Sequence, residues 1–342
     1  MSQFHLLKVS SVDRSARDTV IIHFHQPPFG RIHYLPGQYL TMRLEYQQEV
    51  HFRSYSICSA PRLDSRISIG VKRIVGGLVS SYLVDHAEPD MEFEVMEPRG
   101  RFYLDNSVKE TRQIVLLGGG SGITPLYSIL RSTLYNEPNS LVSLLLSNRS
   151  KEEVMFREGL EKMEVKFADR LRVEHWFSGK QGRITSDRVH AFLHDMAAAP
   201  AQKVYFVCGP EPLMQLYRAA LLRAGIAEHD IHQEHFQPTT DEKFRRSLVN
   251  GHTRVVTLDL LGNRYEFPVP PGSTVLDAAL DRGINLPHSC KRGNCASCLA
   301  TLVNGSVVMA NKDALLDFER DRGKVLTCQA QPESDDVHIS FS

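Results

Sequence analysis

Residues 113–125 read QIVLLGGGSGITP, and this run decides the architecture of the middle of the chain. The apolar stretch from Ile114 to Leu117, bounded by glycines, fits a strand buried on both faces. Gly118, Gly119, Gly120 and Gly122 then allow a tight turn. Thr124 can cap the helix that follows, and Pro125 suits its first turn. Free N–H groups and the positive end of a helix make such a turn an anion site, shaped for a pyrophosphate. The run is not G-x-G-x-x-G, because Ile123 stands where the third glycine would be, and alone it reads equally as a packing turn. A second strand ends in Val207-Cys208-Gly209-Pro210 and feeds another helix. Two such turns on one sheet edge favour a dinucleotide.

Working outward, strands at 141–146, 171–177 and 203–208 alternate with helical stretches at 125–134, 152–167, 188–196 and 212–224. That alternation predicts a parallel sheet covered by helices on both faces. Upstream the texture differs. Segments 19–25, 39–44, 53–59, 66–73 and 91–96 are short, β-branched or alternating, and separated by Pro, Gly and Asp, which predicts a small antiparallel barrel. Within it, Arg53-Ser54-Tyr55-Ser56 lies on a strand, and Gly76-Gly77-Leu78-Val79-Ser80 precedes a helix. An arginine fork suits a phosphate pair and a tyrosine face suits a flat ring system. Each fragment alone reads as a surface arginine or a barrel-wall tyrosine; their order before a nucleotide motif gives them meaning.

Downstream, 237–253 carries no period and reads as a linker. A hairpin, 254–260 and 264–269, follows, then a helix at 274–282 with Ser273 or Thr274 as cap and Gly283 as stop. Next comes CKRGNCASC, in which Cys290, Cys295 and Cys298 have C-x4-C-x2-C spacing, with Cys328 further on. This is the plant-type ligand pattern of a [2Fe–2S] cluster. A structural zinc site would present two C-x-x-C pairs, and only Cys295–Cys298 qualifies. Gly293, Ala296 and Ser297 are small enough to let backbone N–H groups turn toward bridging sulfides. His288 reads as a loop filler, since four thiolates complete the set.

Forty basic residues balance forty acidic ones, so no global charge argues for nucleic acid or a membrane surface. The two remaining cysteines, Cys58 and Cys208, give no disulfide framework, and thiolate ligands suit a reducing compartment. No signal peptide and no run of membrane-spanning length is read, so a cytoplasmic location is expected.

With RSYS, GGLVS, GGGSGITP, VCGP and C-x4-C-x2-C…C in order, the chain resembles the ferredoxin–NADP⁺ reductase superfamily in its form with a fused C-terminal plant-type ferredoxin. Softer features, NRS-x4-MFRE and EHF before the linker, resemble reductase subunits of phenylacetyl-CoA epoxidases, which feed a di-iron oxygenase. The resemblance implies a multidomain fold: an antiparallel β-barrel flavin domain at 1–108, an α/β parallel-sheet NAD(P)H-binding domain at 109–238, a linker at 239–252, and an α+β β-grasp ferredoxin domain at 253–342. It implies FAD, with FMN as the alternative, a [2Fe–2S] cluster held by Cys290, Cys295, Cys298 and Cys328, and NADPH or NADH as donor. Arg53 would hold the flavin pyrophosphate, Tyr55 would lie against the isoalloxazine, and Ser56 would bond near its reactive nitrogen. Gly77 and Ser80 would form a helix-start phosphate site. Gly120, Ser121 and Thr124 would face the nicotinamide dinucleotide, with Cys208 and Gly209 at the hydride-transfer locus. Glu234 and Phe236 would stand where simpler reductases end, Phe236 in place of the usual tyrosine and shielding the other flavin face. Arg149, Lys180 and Arg183 are cations available to a 2′-phosphate, whereas Gly179 stands where NADP-specific relatives often carry arginine. The partner implied is an oxygenase. A Rieske oxygenase, desaturase or hybrid-cluster protein is the alternative acceptor, and a redox-sensing module the alternative class. Lys291 and Arg292 would steer an acidic partner.

Overall fold

The computed structural model describes residues 4–27, 30–105, 111–195, 202–236, 252–260, 262–293, 295–312 and 314–341. The domain boundary expected at 108 lies outside them, as does the expected linker apart from His252.

Six antiparallel strands open the chain: β1 (Phe4–Asp13), β2 (Thr19–Phe24), β3 (Tyr39–Tyr46), β4 (Glu49–Ser56), β5 (Ile67–Lys72) and β6 (Glu92–Met96). Their order is β4-β3-β6-β1-β2-β5, and a bridge between Ile57 and Ile69 joins the two edges, closing a barrel. Closure removes the exposed strand edges that an open sheet would present. Leu7, Ile22, Phe24, Leu40 and Ile69 fill it, and the helix Leu78–His86 adds Val79 and Leu83 to the same core. Strand β1 is absent from the sequence expectation. Its register slips between Val9 and Ser11, and that bulge breaks the period of two that marks a strand.

The second layer is a parallel sheet of β7 (Arg112–Gly119), β8 (Leu141–Asn148), β9 (Leu171–Phe177), β10 (Gln202–Cys208) and β11 (Ile231–Glu234), ordered β11-β10-β7-β8-β9. Helices Ile123–Asn136 and Arg157–Lys166 pack Leu126, Ile129, Leu160 and Met163 on one face. Helices Ser186–His194 and Glu211–Arg223 pack Val189, Phe192, Met214 and Tyr217 on the other. The helix expected over 152–167 starts only at Arg157: Val154 and Met155 bury themselves in the core, and Phe156 takes a left-handed φ of 61°.

The C-terminal unit is a mixed sheet of β12 (Arg254–Leu260), β13 (Asn263–Val269), β14 (Leu299–Asn304), β16 (Lys324–Leu326) and β18 (His338–Phe341), ordered β13-β12-β18-β14-β16, with β12 and β18 parallel. A two-stranded ribbon, β15 (Val307–Met309) with β17 (Ala330–Pro332), lies apart from that sheet. The helix Val275–Leu280 packs Leu276 and Ala279 into the core with Leu326 and Ile339, a β-grasp arrangement. Thr274 is its cap: the Thr274 hydroxyl accepts the Asp277 N–H at 3.1 Å. No helix among the described residues is long and apolar enough to cross a membrane.

Candidate functional site

In an open α/β sheet, ligands sit beyond the carboxyl ends of the strands where the strand order reverses. Here the reversal falls between β7 and β10, and the two glycine turns meet there. A Cβ on Gly122 would lie 2.1 Å from the Cys208 carbonyl oxygen and 2.7 Å from the Gly209 nitrogen. A Cβ on Gly209 would lie 3.2 Å from both the nitrogen and the oxygen of Gly119. The turns are therefore backbone against backbone, which only glycine permits. Gly120 has a φ of 55° and open space beside it. Helices starting at Ile123 and Glu211 end at this cleft, so two sets of orphan N–H groups border it.

Thr124 does not cap its helix. Gly122 occupies the cap position, and the Thr124 hydroxyl donates to the Ser121 carbonyl at 2.8 Å. Its methyl lies so near Gly70 of the barrel that a Cβ there would come within 2.4 Å. Thr124 is buried, and it fastens the glycine turn to the barrel instead of opening toward solvent.

Cys208 is fully buried at the end of β10, in register with Glu234 on one side and Gly118 on the other. Burial pushes its thiol well above the usual range, and the Glu234 carboxylate adds to the shift. The Glu234 carboxyl is itself pushed up to about 8, by burial first and then by the Cys295 thiol. Phe236, two residues on, is 41 % exposed. Arg149 and Arg183 are exposed on the loops that leave β8 and β9, at the same sheet edge. The Gly179 N–H donates to the Arg149 carbonyl at 2.9 Å, and a Cβ at Gly179 would come within 2.7 Å of that oxygen. An arginine at 179 would not fit this turn, so the glycine has a packing reason of its own. Asn148, 5 % exposed at the end of β8, finds no hydrogen-bond partner for either amide atom among the described residues. A buried amide without a partner among the described residues, at the carboxyl end of the sheet, is a candidate polar contact that sequence reading missed.

On the barrel, β3 and β4 pair Tyr39 with Ser56, Leu40 with Tyr55, Thr41 with Ser54 and Met42 with Arg53. Alternation puts Arg53 and Tyr55 on one face of β4 and Ser54 and Ser56 on the other. Arg53 is exposed, while burial pushes the Tyr55 hydroxyl up despite the opposing pull of Arg53. Gly77 precedes the helix Leu78–His86 in extended conformation, and Ser80 closes that turn: its hydroxyl accepts the Ile74 N–H at 3.1 Å and donates to the Gly77 carbonyl at 3.3 Å. Tyr39, opposite Ser56, is buried near groups of the other two units. Its hydroxyl is pushed well up by burial, then by Cys295, Glu234 and Cys290.

The cysteine loop folds as its small residues require. Lys291, Gly293 and Ala296 have φ of 55°, 82° and 51°, turning the chain so that donors face sulfur. The Cys290 N–H and the Ser297 hydroxyl donate to Cys295 Sγ at 3.3 and 3.1 Å, and the Arg292 N–H donates to Cys290 Sγ at 3.3 Å. Gln329 Nε2 reaches Cys328 Sγ at 3.5 Å. Among the described residues no three His, Cys, Asp or Glu side chains converge on a single ion. Four cysteines at this spacing, with N–H and hydroxyl donors turned onto sulfur, fit the plant-type [2Fe–2S] ligand set. His288 bonds through Nδ1 to the Leu286 carbonyl at 2.8 Å, as a loop filler does.

Three family models match in order: an oxidoreductase FAD-binding domain over 6–103, an oxidoreductase NAD-binding domain over 116–219, and a 2Fe-2S iron-sulfur cluster binding domain over 258–333. The chain is 35 % identical over 321 residues to the ferredoxin reductase component of 3-ketosteroid-9-alpha-monooxygenase from Mycobacterium tuberculosis, covering 92 % of this chain and 87 % of that one. It is 34 % identical over 352 residues to one of the subunits of 1,2-phenylacetyl-CoA epoxidase from Escherichia coli K12, covering 100 % and 98 %. In fold it is similar to phthalate dioxygenase reductase, with a TM-score of 0.62 at 24 % identity over 99 % of this chain and 98 % of that one.

Proposed function

The chain belongs to the ferredoxin–NADP⁺ reductase superfamily in its form with a fused [2Fe–2S] ferredoxin, the form that serves oxygenases as reductase component, and from that premise we propose how its residues divide the work. FAD and [2Fe–2S], when bound, turn the electron pair of a nicotinamide hydride into single electrons for the oxygenase. Gly120, Ser121 and Gly209 line the cleft for the nicotinamide dinucleotide, with Asn148 supplying an amide at its edge. Thr124 acts beneath them by holding the glycine turn in place. Arg149 and Arg183 are the cations available to a 2′-phosphate, which makes NADPH the donor favoured here. Arg53, with Gly77 at the helix start and Ser80 closing its turn, holds the flavin pyrophosphate. Tyr55 lies against the isoalloxazine and Phe236 shields the opposite side. Ser56, Cys208 and Glu234 border the reacting centre; a carboxyl with a pKa near 8 keeps a proton at neutral pH, so Glu234 can hold one at its oxygen. Cys290, Cys295, Cys298 and Cys328 hold the cluster.

The observation that carries this assignment is the contact of the barrel with both other units: Thr41 Oγ1, 2.9 Å from Ser54 Oγ of the flavin-motif strand, lies 3.4 Å from Ser297 Oγ of the cysteine loop, and the Thr124 methyl of the glycine turn packs against Gly70. For the acceptor we propose a phenylacetyl-CoA epoxidase-type di-iron oxygenase, because the match to the epoxidase protein runs the whole length of the chain. A ketosteroid-monooxygenase-type acceptor is the second reading, favoured by comparable identity over most of the chain. We place the protein in the cytoplasm, where NAD(P)H and reduced thiols are available. We divide it at 108/109, with a linker at 239–252. Lys291, whose Nζ lies 3.8 Å from Asp277 Oδ1, steers an acidic partner, and Lys291→Glu then slows acceptor reduction at low salt.

Anaerobic titration with NADPH and separately with NADH, followed by absorbance and electron paramagnetic resonance, tests the core assignment. Flavin bleaching followed by a [2Fe–2S] signal supports it and ranks the donors; bleaching with no cluster signal refutes the path.

A further inference from the structure

A row of contacts leads from the flavin-motif strand to the cysteine domain. Tyr39, opposite Ser56, exchanges two backbone hydrogen bonds with Arg99, at 2.9 and 3.0 Å. The Arg99 side chain then reaches out of the barrel, and Nη1 donates to Glu319 Oε1 at 2.6 Å. Glu319 is buried and already fixed, because its Oε2 accepts the Leu316 N–H at 3.1 Å at the start of the helix Asp317–Asp321. Two residues along, Arg101 Nη2 donates to the Leu315 carbonyl at 2.5 Å. One short barrel segment thus grips one turn of the C-terminal domain.

A chain of hydroxyls accompanies the grip. Ser54 Oγ, in the flavin motif, lies 2.9 Å from Thr41 Oγ1. Thr41 Oγ1 lies 3.4 Å from Ser297 Oγ, which donates to the ligand Cys295 Sγ at 3.1 Å. Thr41 and Ser297 are both buried.

We propose that Arg99 and Glu319 are positioning residues that fasten the cysteine domain to the barrel in the pose where the cluster takes electrons from the flavin. The inference rests on the flavin-to-cluster path and names what sets its geometry. A part-buried ion pair suits this role, since losing one partner leaves a charge unpaired at a closed interface, whereas exchanging both keeps the attraction.

The test uses the full chain with its cofactors in Arg99→Glu, Glu319→Arg and the double exchange, read by amide hydrogen exchange and by stopped-flow reduction. In each single variant, amides of 315–322 exchange about tenfold faster or more, and the cluster signal after NADPH mixing appears about tenfold more slowly or worse. Flavin bleaching keeps its rate, and the double exchange recovers most of both losses. Glu319→Gln, which retains an oxygen for the Leu316 N–H, gives the same result should Glu319→Arg not fold. A double exchange no better than the singles, or a cluster signal at the parent rate in Arg99→Glu, overturns the proposal. A parent protein whose cluster is never reduced would refute the electron path instead, and the exchange data would still decide the grip.

Discussion

At the scale of single residues, the cysteine loop and the end of β11 carry the sharpest expectations. Cys298→Ser removes one of the four proposed cluster thiolates, so it should abolish the cluster signal and cytochrome c reduction while ferricyanide reduction at the flavin persists. Equal loss of both activities in a folded, flavin-loaded protein would contradict the linear path. Glu234 has a raised carboxyl pKa, about 8 against an ordinary 4.5. The folded state therefore holds a proton that the unfolded chain has released across that window. Stability contributed by the protonated form is complete below pH 4.5 and is lost as pH rises toward 8. Glu234→Gln should flatten this fall, visible as a smaller drop in melting temperature between pH 5 and pH 8 than the parent shows. The RSYS strand was legible in the sequence because its pattern is local, and the expectation for the four cysteines likewise rests on local spacing. Asn148 was not, since an unpaired amide is a fact about its surroundings. Thr124 reads as a cap from its position, yet tertiary contact with Gly70 took its side chain elsewhere.

Elements were legible where period and punctuation agree. Strand β7 ran into glycines, β9 was bounded by charge and turn, and the helix Val275–Leu280 had its Thr274 cap. Seven strands escaped, β1, β11 and β14 to β18, and two of them show a physical reason. The bulge in β1 scrambles its alternation, and β11 is only four residues of polar texture, IHQE, that forms a strand because β10 offers it an edge. The approach of the two glycine turns gives an element-scale prediction. Gly122→Ala puts a methyl 2.1 Å from the Cys208 carbonyl and must push the β7 and β10 turns apart. It should raise the KM for NADPH at least about tenfold while flavin content stays full, because the barrel is not involved. An unchanged KM would mean that the turns are not held together for the nucleotide.

For the whole molecule, sequence order predicted three units but not how they touch: Thr41 and Ser297 are 256 residues apart, and no local pattern encodes their contact. On the proposed division of the chain, the linker at 239–252 sets how often the cysteine domain finds the barrel. Doubling its length with Gly and Ser should lower the flavin-to-cluster rate about threefold, following the −3/2 power of chain length. A rate independent of length would mean that the domains do not part between turnovers.

The separation of Arg99 from Glu319 also has a consequence in time. The two residues lie 220 positions apart. At ribosomal rates of about 5–20 residues per second, the barrel waits roughly 10–45 s for the turn that will cover it. Throughout that interval Thr41 and Arg99 stand without Ser297 and Glu319, and the seat they form is open to any free ferredoxin of suitable shape. Fusion of the two domains is then a claim on that seat by the chain's own last-made part.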